Sequence, residues 1–225
     1  MKTIILTGDS RGIGLAIKTK LIESNYNVVG ISRNSTDISY DLSNVEGIQD
    51  LYKTKIKPRG PIYAFINNAA IAYDDIITNL SYPSLEFMYK VNVFSPMMLT
   101  KYILRDMLLN KTQGNIIHIS SISAHTGYKG LAMYASTKGA LEAFSKNTAR
   151  EWGSLGIRSN IVCPGFIDTD MSSSLSEEQK NKIFNRNSKK SPIEVNDIVE
   201  TVEFLINKKS KGITGQVIHV DNGTL

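Results

Sequence analysis

The chain has 225 residues, 41% of them hydrophobic, with a formal net charge of +5, one cysteine and three histidines. That length buries one sizeable core and shows no composition break, so residues 1–225 are expected to form one domain. The lone Cys163 excludes an internal disulfide and fits a reducing, cytoplasmic setting; the scattered histidines offer no pair at ligand spacing, so no metal is expected; and the dispersed basic residues lack the interleaved aromatics of a nucleic-acid surface.

The first apolar run, Thr3–Thr7, is too short for a signal peptide or a membrane span and predicts a buried strand. Glycines at positions 8, 12 and 14 follow it, and a helical pattern starts near Ile13. Further β-branched runs predict strands at Asn27–Ser32, Ile62–Asn67, Asn115–Ser120, Ser159–Cys163 and Gln216–Val220. A third strand is expected at Asp37–Leu42, separated from the second by only Arg33–Thr36, although a parallel crossover normally takes a dozen residues or more. A crossover helix is therefore expected to be missing there, with another helix starting near Asn44. Helical spacing marks Ser84–Leu109, Met133–Gly153 and Glu194–Asn207. Between residues 170 and 192 lies a polar stretch with Lys180, Lys182, Arg186, Lys189 and Lys190, read either as a substrate lid or as an ordinary solvated loop and helix. The alternation of strand and helix implies an α/β, doubly wound parallel sheet of the Rossmann type, with about seven strands and helices on both faces.

In that setting the three glycines have distinct roles. Gly8 takes the positive φ of the turn, Gly12 lets backbone approach a ligand, and Gly14 lets the helix pack closely. The helix N-terminus then points free N–H groups at the gap, where a pyrophosphate is the natural occupant. An ATP-type P-loop is excluded because Ile13 stands where its lysine would be.

Thr7-Gly-Asp-Ser-Arg-Gly-Ile-Gly14 resembles the Thr-Gly-xxx-Gly-x-Gly loop of the short-chain dehydrogenase/reductase family, and more of that family's motifs follow in order. Asn67-Asn-Ala-Ala70 resembles its Asn-Asn-Ala-Gly segment, with Ala70 in place of the glycine. Asn92 stands where the family keeps a helix asparagine. Tyr134 follows Ser121 by thirteen residues and Lys138 follows Tyr134 by four. Cys163-Pro-Gly-Phe-Ile-Asp-Thr169 resembles the segment that contacts nicotinamide, and Ile213-Thr-Gly-Gln-Val-Ile-His-Val-Asp221 resembles the closing strand. The resemblance spans nearly the whole chain. It implies Asn92, Ser121, Tyr134 and Lys138 as catalytic residues, and a dinucleotide held by Gly8, Ser10, Arg11, Gly12, Ile13, Gly14, Arg33, Asp41, Leu42, Asn68, Ala69, Ala70, Tyr134, Lys138, Pro164, Gly165, Ile167 and Thr169.

The residue types suit carbonyl reduction, which needs a proton donor as charge builds on the oxygen. A free phenol titrates near pH 10, poorly matched to neutral pH; a lysine one helical turn away is expected to draw it down. Among ten tyrosines a Tyr-xxx-Lys pair arises by chance about once, so the weight rests on its place: it opens a helix after a strand ending in Ser120-Ser121, at the sheet edge where such folds bind ligands. Of those neighbours Ser121 is preferred, by its spacing and by strand alternation. The resemblance gives Lys138 a hold on the nicotinamide ribose, Ser121 a hydrogen bond to the substrate oxygen, and Asn92 the support of a relay water.

After the second strand, where an acidic residue would favour NAD, stand Arg33 and, in the glycine loop, Arg11; NADP(H) is the expected preference. Asp41, followed by Leu42, is read as the adenine-side aspartate or as a helix cap. Ile167-Asp-Thr-Asp-Met171 and Ser176-Glu-Glu-Gln179 bring the likeness nearest to 3-oxoacyl-carrier-protein reductases. That subgroup's arginines are replaced by Thr112 and Ser173, with Lys111 and the basic 170–192 stretch as possible substitutes for meeting a carrier. A keto sugar or other small secondary alcohol is the alternative substrate, and a non-catalytic dinucleotide sensor the alternative class. The family's usual assembly, together with the apolar Met133–Gly153 helix bearing Phe144 and Trp152, implies a homotetramer or homodimer.

Overall fold

The computed structural model describes residues 1–167 and 176–225. Its centre is a parallel seven-stranded sheet in the order β3-β2-β1-β4-β5-β6-β7. The strands β1 (Thr3–Thr7), β4 (Ile62–Asn67) and β5 (Asn115–Ile119) are buried at every position, as strands covered on both faces must be. They are flanked by β2 (Asn27–Ser32), β6 (Arg158–Pro164) and β7 (Val217–Val220).

Alternate side chains of β1 belong to opposite cores. Ile4 and Leu6 pack with Ile17 and Leu21 of α1 (Gly12–Glu23) and with Val199, Val202 and Ile206 of α7 (Val195–Ile206). Ile5 packs with Ile48 and Leu51 of α2 (Ile48–Leu51), and with Leu99, Ile103 and Met107 on the long helix after β4. Each such side chain contributes roughly 1.5–3 kcal/mol relative to exposure.

The long helix runs as α3 (Tyr82–Tyr89) and α4 (Ser95–Leu109), joined by a widened π turn at Lys90–Phe94. Pro96 explains the widening, because it has no N–H to give the preceding turn and its ring crowds the carbonyl four residues back. A second widened turn, Tyr52–Ile56, extends α2. On the same face lies α5 (Ala132–Trp152), and α6 (Glu177–Phe184) precedes α7. Phe144 packs edge-on at 6.0 Å from His118, a fully buried ring that burial holds neutral, its pKa down at about 3. Trp152 packs on the α4 side core, so both aromatics read as an association face are used within the chain.

Two expectations require correction. The third strand, β3 (Ile38–Ser39), pairs only through Ile31↔Ile38 and Ser32↔Ser39, not over Asp37–Leu42. The helix expected near Asn44 starts at Ile48; the Asp41 carboxylate accepts from Ser43 N at 2.9 Å and closes a turn instead of capping a helix.

The missing crossover helix is replaced by charge. The connection over residues 33–37 is held by Lys18, whose Nζ donates to Asp9 Oδ2 at 2.8 Å and to Asp37 Oδ2 at 2.7 Å. Asp37 also accepts from Gly30 N at 2.8 Å, satisfying a strand amide that the short β3 leaves unpaired. Asp9 is 2% exposed and accepts from Ser32 Oγ and Ser35 Oγ, both at 2.9 Å. Gly30 makes room for it: a Cβ there would stand 1.8 Å from the Asp9 carboxylate. Among the described residues no helix is long and apolar enough to cross a membrane.

Candidate active site

The turn after β1 is stapled to the end of β4. Thr7 Oγ1 donates to Asn67 Oδ1 (3.2 Å) and accepts from the backbone N of Asn68 and of Ala69 (both 3.1 Å). Asn68 Nδ2 returns the contact to the carbonyls of Thr7 (3.2 Å) and Gly8 (3.1 Å). Gly8 has φ +72°, and a Cβ on it would meet Ala69 Cα at 2.9 Å. At Gly14 a Cβ would stand 2.0 Å from Gly8 O, so the close approach is to this turn. Gly12 differs: it has φ +54° and nothing within 4 Å of a Cβ position. Beside it α1 begins with no side-chain cap at Arg11, which leaves its first amides for a ligand.

Ser10, Arg11 and Arg33 are exposed, and neither arginine is in an ion pair among the described residues. Ile13 and Ala69 are half-buried against the two cores, and Ala70 continues the turn. Leu42 faces the α2 and α4 core, and its carbonyl accepts from Ser95 Oγ.

Further along the same sheet edge, Tyr134 and Lys138 lie one turn apart at the start of α5. Lys138 is 2% exposed, its Nζ donates to Ile119 O at 2.8 Å, and it stands 5.4 Å from the centre of the Tyr134 ring. Ser121 closes a short turn, accepting from Ser123 N (3.2 Å) and Ser123 Oγ (3.0 Å). Its neighbour Ser120 points elsewhere, donating to Glu142 Oε1 at 2.5 Å, so strand alternation does separate the two serines. Asn92 sits in the π turn, 1% exposed; its side chain bonds Ile71 N (2.9 Å), Ile71 O (2.8 Å) and Thr137 Oγ1 (3.1 Å). It thereby ties the segment after Asn67-Asn68 to α5.

The expected tuning of the phenol is not present in this structure. Burial pushes Tyr134 up to about 12, with the Ser121 hydroxyl pulling the other way. Burial likewise pulls Lys138 down to about 8, with the nearby Glu142 carboxylate acting the other way. Burial is the largest influence on both groups, and the lysine is not among the groups that shift the phenol.

Gly165 donates its N–H to Val220 O at 3.0 Å, and a Cβ there would meet Asp221 Cα at 2.9 Å, so glycine lets this segment lie on the end of β7. Pro164 pairs in register with Val220, and Ile167 is buried with the α7 core. Thr169 and Ser173 lie outside the described residues, as does the start of the 170–192 stretch. Thr112, and with it the adjacent Lys111, sits beside Lys2, Thr3 and Asn27, where the strands begin. That end of the sheet is opposite the convergent side chains, so Lys111 is not placed to meet a carrier at the site within one chain.

One cluster escaped the sequence reading. His125, Cys163 and His219 bring one ligand atom each within 4.8 Å of one another. No local spacing signals it, because the three residues come from the turn after β5, from β6 and from β7.

A family model described as enoyl-(acyl carrier protein) reductase matches residues 8–224. The chain is 33% identical over 236 residues to 3-oxoacyl-(acyl-carrier-protein) reductase FabG of Buchnera aphidicola subsp. Acyrthosiphon pisum (strain APS), covering 99% of this chain and 96% of that relative. Among solved structures it is similar to a 4-hydroxyisoleucine dehydrogenase complexed with NADH (TM-score 0.94, 27% identity, 100% of this chain and 98% of that one). It is also similar to ElxO with NADP bound (TM-score 0.90, 26% identity, 99% and 98%).

Proposed function

The chain belongs to the short-chain dehydrogenase/reductase family of NAD(P)-dependent oxidoreductases, and from that membership we propose that it reduces a carbonyl to an alcohol with NADPH, on a substrate of the 3-oxoacyl thioester class. The observation that carries the reading is the convergence of Ser121, Tyr134 and Lys138 after β5, at the same edge of the parallel sheet as the uncapped start of α1 after β1. A sensor needs the dinucleotide cradle but not a buried acid.

The residues present fit the cofactor. Open space over Gly12 and the free first amides of α1 suit a pyrophosphate, and Arg11 and Arg33 suit an added phosphate on the adenosine ribose. Bound nicotinamide supplies the hydride. Tyr134, protonated across the neutral range, donates its phenolic proton to the carbonyl oxygen as negative charge develops there. Ser121 accepts from Ser123 and lies against the Tyr134 hydroxyl, so its own O–H is placed to donate to the same oxygen; Lys138 would hold the ribose and offset the charge left on the phenol. Asn92 acts by holding Ile71 against α5, so the floor of the site keeps its shape. Pro164, Gly165 and Ile167, at and just after the end of β6, would line the nicotinamide side of the site.

The test is loss of nicotinamide absorbance on mixing the protein with NADPH and a panel of β-keto thioesters and keto sugars. Thioester turnover that disappears in Tyr134→Phe while NADPH still binds supports the reading; turnover retained in that variant refutes the acid. Faster turnover of keto sugars would replace the substrate class, an outcome favoured by the placement of Lys111 and Thr112 at the far end of the sheet. Equal affinity for NADH and NADPH, unchanged by Arg33→Ala, would contradict the cofactor preference.

A further inference from the structure

Beside the reductase site, the β6–β7 edge carries three nitrogen and sulfur donors to which the proposed reduction assigns no role. Cys163 and His219 are direct partners in the register of two parallel strands, so their backbones are fixed side by side. His125 ends the short turn Ile122–Ala124, and its ring lies 4.7 Å from that of His219, edge to face. Glu142 Oε1 stands 3.0 Å from His125 Nε2 and is itself held by Ser120. A buried carboxylate behind an imidazole is the partner that metal-bound histidines usually have.

We propose that His125, Cys163 and His219 form a site for a borderline-soft divalent cation, zinc foremost, with Glu142 orienting His125 and one coordination position left to water. Zinc bonds of 2.0–2.3 Å set tetrahedral ligand atoms about 3.3–3.8 Å apart. The observed atoms lie within 4.8 Å, and the short turn bearing His125 can close that difference of about 1 Å against two fixed strands. Two imidazoles and a thiolate exclude hard cations such as magnesium, which prefer oxygen. The side chain of His125 is 28% exposed, which gives an ion a path in, while Cys163 is fully buried at the base. On binding, the thiol proton leaves to solvent and a sulfur–metal bond takes its place; no electron moves.

The full-length protein is dialysed against chelator, equilibrated with zinc chloride, freed of excess metal and analysed for retained zinc; cobalt(II) is titrated separately as an optical probe. The expected result is one zinc per chain and a cobalt complex with a thiolate charge-transfer band. His219→Asn, at an exposed position, weakens zinc retention at least about tenfold, and Cys163→Ser removes the band. Should Cys163→Ser fail to fold by circular dichroism, His125→Gln takes its place beside His219→Asn, with the same expected loss of retention. No retention by the wild type, or retention undiminished in the folded variants, overturns the proposal.

Discussion

Lys138→Met separates what the lysine does for chemistry from what it costs the fold. Burial lowers its pKa from 10.5 to about 8. That difference of about 2.5 units corresponds to about 3 kcal/mol by which the protonated lysine destabilises the native state at neutral pH. Below about pH 8 both states hold the proton, so the penalty is constant there. Between about 8 and 10.5 the unfolded chain keeps a proton that the folded chain has released, so the penalty fades and wild-type stability rises with pH. Methionine has a similar length and no charge. It also leaves Ile119 O without its donor, a loss of about 1 kcal/mol that does not vary with pH and so shifts the offset but not the slope. Urea denaturation of both proteins at a series of pH values reads the difference directly. The variant should be the more stable at pH 7, with the gap shrinking by about 2 kcal/mol by about pH 9.5, and turnover should fall by about two orders of magnitude or more. Parallel stability curves over that range would refute the claim that the lysine titrates from a buried, disfavoured state.

Gly14→Ala sets a methyl 2.0 Å from Gly8 O and should destabilise by about 2–4 kcal/mol while weakening NADPH binding, read by denaturation and by cofactor fluorescence. Arg158 donates to the carbonyls of Leu205 (2.7 Å), Asn207 (3.2 Å), Ser210 (2.9 Å) and Ile213 (3.0 Å), closing the C-terminal end of α7. Arg158→Lys, which lacks the fork, should lower stability by about 2–3 kcal/mol; an unchanged denaturation midpoint would show those bonds to be replaceable. Lys18→Met leaves Asp9 and Asp37 unneutralised and should cost about 1–2 kcal/mol, the exposure of Asp37 keeping it low. Lys18 and the unfavourable burial of Asp37 oppose each other, and the lysine wins, holding the Asp37 carboxyl below its ordinary range. The clamp's contribution is therefore present at neutral pH and lost as pH falls through the folded value of Asp37, so wild type and variant should converge in acid.

β1, β2 and β4 fall on the expected residues because each is a short apolar run, rich in β-branched or aromatic residues and closed by a polar residue, of the kind that is buried as a strand. β3 was read too long because Ile38, Tyr40 and Leu42 alternate as a strand would. Only Ile38 and Ser39 find a partner; Tyr40 Oη turns to Asn44 O and Leu42 goes to the core of α2. Ser121, Tyr134 and Lys138 were legible because consecutive elements carry them to one edge. Their titration was not, since it depends on how deeply α5 packs. Asp9 gave no signal by itself: its role needs the register that sets Leu6 against Gly30. The His125–His219 contact likewise exists only once β7 lies beside β6.

The brief passage from β2 to β3 has a kinetic consequence. Sequential parallel neighbours elsewhere in this sheet are separated in the chain by at least one helix, whereas residues 33–37 alone join β2 to β3. A connector about four times longer would add roughly 1.2 kcal/mol of closure entropy. Pairing of β3 with β2 can thus begin on the time scale of closing a small loop, and the Lys18 and Asp9 contacts then hold it.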